Sequence, residues 1–451
     1  MLGKSLNSRD QIEFVAISDL VPKDHLLRKV DAVLDLNFVY DSVKDRYCLD
    51  NGRPGIDPVI LVKIVLIQHL FGIKSMRQTI REIDTNVAYR WYLGFGFHDK
   101  VPHFSTFGKN YARRFSDGQL FEEIFEHILE IAMSHGLIDT SALYIDSTHI
   151  KANANRNKYT KETIKKTATF YAEELREEVN DIRLSEGKKL YPPKESNEEK
   201  TSRVSKTDPD AGYYVKSERE KQFAYSMHAC VDSHGFVLDQ HVTPGNIHDS
   251  TQLHVSIDRL LKKGYSIQSV AVDAGYKTPA NARYLLNKNI TPYMPYTRPR
   301  GSKDLLKKSE YVYDEYYDVY LCPGGSKLTY RRTDKDRYRL YMSDPMKCKE
   351  CPLLSQCTKS QGKQKVITRH VWQSYIDTVE EIRHTEKGKT EYKKRSQTVE
   401  RRFGDAKEQH GLRWTRHRGI KKVFRDTTLI CACMNLKKLA NWLIKEPQLT
   451  V

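Results

Sequence analysis

The sequence predicts a mixed α/β protein with a helical N-terminal part, and three observations support this prediction. Capped helical segments fill residues 57–115, and residues 143–295 alternate short β-type runs with helical segments. The chain has 451 residues, of which 39% are hydrophobic, so it can bury a sizeable core and is not disordered as a whole. At about 150 residues per domain, we expect roughly two to four domains.

The N-terminal part, residues 1–120, is predicted to be a helical DNA-binding domain. Asp57 and Pro58 form an N-cap and N1 pair, and the helix that they begin ends before Gly72. Three short helical segments follow and suggest a relative of the helix-turn-helix motif. The last segment carries cations suited to phosphates and base edges, although a solvated helix face would look the same: Lys109, Arg113 and Arg114.

Residues 140–297 are predicted to form the first part of an α/β core, with three strands, a helix, a strand, a helix and a strand. The five strands are expected at Leu143–Ile150, Phe223–Val231, Phe236–Thr243, Ile267–Asp273 and Ile290–Pro295, and the two helices at Ser250–Lys262 and Pro279–Asn287. Residues 157–210 are dense in Lys and Glu, which favours a charged helical hairpin or loop outside the core.

The remaining chain is predicted to contain a Cys-rich insertion and the C-terminal helices of the core. The insertion, residues 298–385, is rich in Tyr, Lys and Cys. In residues 386–451 we expect one helix from about Thr390 to Gln409 and another from about Thr427 to Ile444.

Charge and targeting signals narrow the class of protein. Lys and Arg number 75 against 58 Asp and Glu, a formal net charge of +17, which indicates a polyanionic partner such as nucleic acid. The longest apolar run, Val59–Leu70, is much shorter than the roughly 20 residues that cross a bilayer. Residues 1–10 lack the apolar segment of a secretory signal, so we expect a cytoplasmic, nucleoid-associated protein with reduced thiols and no membrane partner.

Three carboxylates lie in or beside segments that are predicted to pack in the core. Asp146 lies inside a β-type run, Asp273 ends another, and Glu400 flanks the packed stripe of a helix. A buried carboxylate costs several kcal/mol unless it is paired or binds a cation. Each acid alone is more often a cap, turn residue or ion-pair partner. Together, three such oxygen ligands suit Mg²⁺ or Mn²⁺, and two ions can activate water and stabilise a leaving 3′ oxygen.

The segments around these acids resemble a known family. Ile145-Asp-Ser-Thr148, Val270-Ala-Val-Asp-Ala-Gly-Tyr276 and Thr398-Val-Glu-Arg-Arg-Phe-Gly404 resemble the three motif blocks of the DDE transposases of bacterial insertion sequences. Three further segments are similar to other parts of those proteins: Thr243–Asp249, Arg53–Pro58 and Val101–Thr106. The Cys-bearing insertion before the glutamate is most similar to the group usually numbered eleven-eighty-two.

The resemblance implies an RNase H-like fold, with Asp146, Asp273 and Glu400 as catalytic ligands of two Mg²⁺ or Mn²⁺ ions. It implies an enzyme that binds terminal inverted repeats, hydrolyses the phosphodiester and transfers the 3′-OH end to target DNA, as a homodimer or higher synaptic assembly. Two alternatives stay open: a transposase-derived DNA-binding protein that has lost its chemistry, and a metal-dependent nuclease without strand transfer.

The family signature also places other residues around the glutamate. Its Lys, after six intervening residues, corresponds to Lys407, whereas its Arg and Tyr positions hold Ser396 and Lys393. Arg395 and Tyr392 come one residue early.

On a continuous helix, with about 100° per residue, Lys393, Gly404 and Lys407 share the face of Glu400. A glycine there predicts close approach of the sheet or of DNA, and Lys407 is expected to contact a phosphate.

Two further groups predict binding sites. Arg413, Trp414, Arg416 and Arg418 interleave guanidinium and indole groups, which favours stacking and phosphate contact at a DNA strand end over a solvated loop. Cys322, Cys348, Cys351 and Cys357 are spaced Cys-x25-Cys-x2-Cys-x5-Cys, which predicts a structural Zn²⁺ site. An iron–sulfur cluster and four unrelated thiols are the alternatives.

Overall fold

The protein is described by a computed structural model that covers residues 12–47, 55–115, 118–165, 171–192, 199–218, 220–298 and 304–443. Arg53 and Ile444, which the sequence interpretation used, lie outside these residues. The N-terminal region is entirely helical, as the sequence predicts. Its helices are α1 (Ile17–Leu20), α2 (Leu26–Val33), α3 (Phe38–Val43), α4 (Pro58–Leu70), α5 (Met76–Thr85), α6 (Val87–Leu93), α7 (Phe104–Arg114) and α8 (Gln119–Ser134).

The predicted caps set the ends of the N-terminal helices. The Asp57 carboxylate accepts the amide of Val59 at 2.7 Å at the start of α4, and Gly72 follows that helix with a φ of +61°. Helix α8 was not predicted, although its apolar residues recur at helical spacing. It packs against the last helix of the chain and so joins the helical region to the core.

A six-stranded mixed sheet forms the core; five of its strands lie in the predicted places, and the sixth, β4 (Gly212–Val215), was not predicted. Strand β1 lies between β5, which is antiparallel to it, and β7, which is parallel; β8 extends the β7 side, and β4 and β6 both pair with β5. Helices α10 and α11 follow β6 and β7. The bounds are β1 (Ala142–Lys151), β4 (Gly212–Val215), β5 (Lys221–Asp232), β6 (Val237–Pro244), α10 (Leu253–Lys262), β7 (Ser269–Val272), α11 (Pro279–Asn287) and β8 (Thr291–Tyr293).

The charged segment after β1 differs from the predicted helical hairpin or loop. Strands β2 (Tyr159–Lys165) and β3 (Glu199–Ser205) pair as an antiparallel ribbon, and a helix, α9 (Ala172–Ser185), lies between them. Leu175 and Val179 of α9 pack with Ala280 and Trp372 in a small cluster of their own. The charged segment therefore contains two paired β-strands, which its composition did not indicate.

Residues 304–372, here called the cysteine module, form a separate five-stranded antiparallel sheet with a core of only five buried residues. Helix α14 follows the module and packs against β8 and α11 of the main core. The elements are β9 (Val312–Asp314), β10 (Val319–Leu321), β11 (Lys327–Thr333), β12 (Tyr338–Ser343), α12 (Pro345–Lys349), α13 (Leu354–Cys357), β13 (Val366–His370) and α14 (Gln373–His384).

The predicted helix over Thr390–Gln409 is wrong, because the chain breaks there. Helix α15 (Glu386–Lys393) passes through one turn of 3-10 helix, and α16 (Val399–Gln409) begins only after Thr398, whose φ and ψ are −104° and −100°. The last helix, α17 (Ile420–Leu443), begins earlier than predicted and is buried against β6, α8 and the N-terminal helices. Within the described residues, we find no helix with the length and apolar character of a membrane span.

Candidate active site and DNA-binding surface

The sheet brings the two predicted aspartates to adjacent strands. Ile145 of β1 pairs in register with Val272 of β7, and Asp146 and Asp273 follow these two residues. Neighbouring strands lie about 4.8 Å apart, so the two carboxylates leave the sheet side by side. Asp273 also caps the turn that follows it, since its Oδ1 accepts the amide of Gly275 at 2.9 Å.

Helix α16 adds the third acid through a buried arginine. The Arg395 guanidinium lies 2.8 Å from Asp146 Oδ2 and 3.5 Å from Glu400 Oε1, and its side chain is only 5% exposed. Glu400 lies in the first turn of α16 and is half-exposed. We call Asp146, Asp273, Glu400 and Arg395 the acid site.

The electrostatics of the acid site follow from this arrangement. Burial raises the pKa of Asp146 to about 6, although the Arg395 guanidinium and the amide of Ser147 act to lower it. Asp273 and Glu400 also raise the pKa of Asp146, because a second and a third negative charge lie nearby. The three carboxylates therefore repel one another. A nearby cation is required if all three are to be ionised at the same time.

The donor set suits a hard divalent cation, since it consists of three carboxylates. Within the part of the chain that is described, no three His, Cys, Asp or Glu side chains stand close enough together to hold a metal ion. At the acid site the position between Asp146 and Glu400 is taken by the Arg395 guanidinium, with its Nε unpartnered. Arg395 thus offsets one of the three negative charges.

The break between α15 and α16 explains the displaced signature residues. Arg395 comes one residue early for a continuous helix, but the 3-10 turn and Thr398 absorb the extra residue. Arg395 therefore reaches both acids, and Tyr392 lies beside it with its ring centroid 5.7 Å from the guanidinium. The same break removes Lys393 from the face of Glu400, so that prediction is wrong. A Cβ at the exposed Gly404 would meet nothing within 4 Å, so the predicted close approach of the sheet is wrong, and approach of DNA stays a prediction.

Lys407 lies near the acid site, as its position in the signature suggests. Burial, with Arg413 and Lys216 nearby, lowers the pKa of Lys407, while Asp146 raises it. None of the ion pairs among the described residues includes Lys407. A half-buried lysine without a carboxylate partner is free to meet a phosphate.

A fourth acid, Asp249, escaped the sequence interpretation of the catalytic residues. It begins a short turn, Asp249–Thr251, that packs against the turn after Asp273. The buried Asn281 amide donates to the carbonyls of Ser250 and Tyr276 and so ties the two turns together. The sequence did contain a signal for Asp249. The segment that ends with it, Thr243–Asp249, resembles the segment that these transposases carry between the first two acids.

The cations of α7 are not equivalent. Lys109 and Arg113 are exposed, whereas the Arg114 guanidinium lies over the Tyr47 ring, 3.9 Å from its centroid. Arg114 also donates to Asn110 within the helix. Lys109 and Arg113 are therefore the two that α7 offers to a ligand.

The basic loop after α16 runs along the end of β1. Trp414 forms a parallel bridge with Lys151, and its indole is 48% exposed. Arg416 lies over that indole, and Arg418 donates to the Asn153 carbonyl at 3.2 Å. Arg413 pairs with Glu408. The four predicted residues thus lie on one surface, at the end of the strand that carries Asp146.

The four cysteines of the module meet around one small cavity of about 20 Å³. Gly324 makes their approach possible, since a Cβ there would lie 3.1 Å from the Cys351 sulfur and 3.7 Å from the Cys322 sulfur. The Tyr311 hydroxyl lies 3.0 Å from Cys357 Sγ, and Cys348 donates to the Ser343 hydroxyl. The four cysteines thus line one cavity, although no three of them, like the other ligand types in the described chain, lie close enough together to hold a metal ion.

Comparisons with known proteins give two family matches. A model described as a transposase domain (DUF772) matches residues 15–113, and one described as a transposase DDE domain matches residues 321–440. The two matches support a DDE transposase. The second match includes Glu400 and the four cysteines but neither Asp146 nor Asp273. A transposase DDE domain implies the use of divalent metal in general.

Comparisons with curated proteins and with solved structures give no further support for a family. No curated protein matches the chain. Among solved structures, it is similar to the Mos1 transposase paired-end complex with left transposon end, at 12% identity over 54% of this chain and with a TM-score of 0.17. The match spans about 62% of the length of that Mos1 chain, and at such a TM-score it carries no argument about the fold.

Proposed function

We propose that the protein is an insertion-sequence DDE transposase with an RNase H-like catalytic core. In this proposal it binds the terminal inverted repeats of its element, hydrolyses the phosphodiester and joins the freed 3′-OH to target DNA. One observation carries the proposal: Asp146 and Glu400 share the Arg395 guanidinium, and Asp273 follows the strand residue that pairs beside Asp146, although the three acids are far apart in the sequence. The mixed sheet with β1 at its centre supports the RNase H-like assignment.

In this proposal Asp146, Asp273 and Glu400 would hold two Mg²⁺ or Mn²⁺ ions. When bound, the ions would activate the attacking water or 3′-OH and stabilise the leaving oxygen. The chain itself orients the reaction: the β1–β7 pair fixes the two aspartates, and α16 brings Glu400 to them. Lys407 binds a phosphate near the scissile bond, and the exposed Lys109 and Arg113 of α7 bind the terminal repeat.

The test replaces each acid by its uncharged analogue. Asp146→Asn, Asp273→Asn and Glu400→Gln are each expected to abolish cleavage and strand transfer of terminal DNA, because a ligand charge is lost, while DNA binding persists. Glu386→Gln on the neighbouring helix α15 is the matched control, since Glu386 is exposed and, among the described residues, its ion pair is with Lys389. Near-normal cleavage by any one triad variant would remove that acid from the site.

The same assay separates the alternatives. Metal-dependent nicking without joined products would indicate a nuclease, and specific DNA binding without any nicking would indicate a protein that has lost its chemistry. A homodimer or larger synaptic assembly is expected when terminal DNA is present, since two ends must be held together.

We further propose that the cysteine module holds a structural Zn²⁺. Four thiols around one cavity, each near a tight turn, support tetrahedral coordination. Coordination would draw the sulfurs together and replace their present contacts with Tyr311 and Ser343. An iron–sulfur cluster would instead give the purified protein visible absorbance.

A further inference from the structure

A cavity of about 680 Å³ lies at the end of β1, next to the basic loop. Among the residues that line it are four cations, Lys151, Lys158, Arg413 and Arg418, and none of the lining residues is a carboxylate. Arg413 is paired with Glu408, and the other three positive charges around this concave surface attract a polyanion and raise its local concentration. Two asparagines, Asn153 and Asn155, add neutral hydrogen-bonding groups.

Trp414 gives the cavity an aromatic wall. The Arg416 guanidinium lies 5.1 Å from the centroid of its ring, and Arg416 does not line the cavity. The indole therefore contacts the Arg416 guanidinium and also lines the cavity. An indole backed by a guanidinium is suited to stacking on a nucleobase. The faces of a base are covered in a duplex, so only an unstacked base can use this wall.

The walls of the cavity are fixed by backbone hydrogen bonds. The Lys151 amide donates to the Arg413 carbonyl at 3.2 Å, and the Thr415 amide donates to the Lys151 carbonyl at 2.9 Å. The Asn153 side chain donates to the Arg416 carbonyl at 2.8 Å. Because the loop is tied to the catalytic strand at three points, Trp414 is held in place before any ligand arrives.

The position of the cavity fits a strand that leaves the acid site. Lys151 follows Asp146 by five residues of β1, about 17 Å at the rise of an extended strand. Lys407 lies within electrostatic reach of both Asp146 and Arg413. Lys407 therefore supplies one positive charge in the neighbourhood of both the acid site and the cavity.

We propose that this cavity binds one unstacked nucleobase of single-stranded DNA against Trp414, with the flanking phosphates at Lys151, Lys158 and Arg418. The inference rests on the proposed function in assigning the strand to the DNA end that is cut. It goes further by giving the protein a binding site for a distorted or single-stranded end, separate from the duplex contacts of α7.

The experiment uses the full chain and two probes of equal length: a single-stranded oligothymidine with one internal 2-aminopurine, and a duplex. Trp414→Ala and Trp414→Leu are expected to weaken single-strand binding about tenfold or more, the loss for one stacked base. Both should also lose the quenching of 2-aminopurine, whereas duplex binding changes less than about twofold. Trp414→Phe keeps a stacking ring and should retain both signals.

Trp442→Ala is the matched control, because Trp442 is 39% exposed on α17 and lies outside the cavity. Single-strand binding that is unchanged in both Trp414→Ala and Trp414→Leu would overturn the proposal, and so would an equal loss in Trp442→Ala. Cleavage of terminal DNA is measured in parallel. Absent wild-type cleavage with Trp414-dependent binding counts against the proposed function alone, and normal cleavage with Trp414-independent binding counts against the cavity alone.

Discussion

The acid site and the cysteine module are both predicted metal sites, but they differ in the hydrophobic core that supports their ligands. The ligands of the acid site come from β1, the turn after β7 and α16, which pack in the main core, and Arg395 already offsets part of their negative charge. Cys322 and Cys351 lie in loops, and Cys348 and Cys357 lie in the short helices α12 and α13. The sheet of this module has a core of five buried residues: Tyr311, Tyr320, Leu328, Tyr341 and Ile367. The main core can fold without its metal, whereas the module has little else to stabilise it.

This difference separates two roles for a metal ion. In the acid site, a bound metal ion must compete with the Arg395 guanidinium for the carboxylates. Metal binding there is therefore expected to contribute to catalysis more than to the free energy of folding. In the module, thiolate coordination would supply folding energy directly, as in small zinc domains. Removal of metal is therefore expected to act on activity at one site and on structure at the other.

The largest expected effect is the loss of structure in the module. Protein purified without added metal should contain one zinc per chain, and a strong chelator or Cys351→Ser should expose residues 304–372 to proteolysis while the main core stays protected. Elemental analysis and limited proteolysis measure the two parts. Asp273→Asn provides the contrast, because it should change neither zinc content nor proteolysis. Protein without zinc, or zinc retained when both Cys348 and Cys351 are replaced, would contradict the assignment.

The next effect concerns Arg395. Arg395→Met keeps much of the packing of the side-chain stem but leaves Asp146 without its ion partner, which is expected to cost about 3 kcal/mol of unfolding free energy in metal-free protein. Added Mg²⁺ or Mn²⁺ should restore much of this loss, since the ion replaces the missing charge. Thermal unfolding with and without metal measures the difference.

Arg402→Met is the control for Arg395, because Arg402 also lies in this region but pairs with Asp405. The comparison of the two sites would fail if metal stabilised the wild type and Arg395→Met equally. In that case Arg395 would not stand in for the ion.

The sequence predicted the sheet and the position of its acids because local patterns determine them. The strand around Asp146 and the strand before Asp273 are apolar runs, and their buried pairing follows from their composition. The break before Glu400 could not be predicted, because Thr390–Gln409 has no proline and its glycine, Gly404, lies beyond the break. The 3-10 turn becomes evident only with Arg395 buried against Asp146. The ribbon of β2 and β3 was missed because its charged residues hide the β pattern.

Two other differences have a tertiary origin. Arg114 looked like its neighbour Arg113 in the sequence, but Tyr47, from a distant part of the chain, covers its guanidinium. The cavity beside Trp414 depends on the pairing of the loop with Lys151, which spans more than 250 residues. Contacts of this kind depend on the whole fold and leave no local signal.

The smallest expected effect tests why α16 contains a glycine. Gly404 is exposed, and a Cβ there would meet nothing within 4 Å, so close packing of the sheet does not require it. Gly404→Ala should therefore raise the unfolding free energy by about 1 kcal/mol, because alanine loses less backbone entropy in a helix.

Gly388→Ala in α15 is the matched contrast, since its Cβ would lie 2.1 Å from the Ile382 carbonyl oxygen and should destabilise the protein. Denaturant midpoints measure both changes, and terminal-DNA binding is measured on the same samples. A more stable Gly404→Ala variant with a tenfold loss of DNA binding would mean that DNA passes over this face of α16, whereas a destabilised variant would contradict the open space seen beside the glycine.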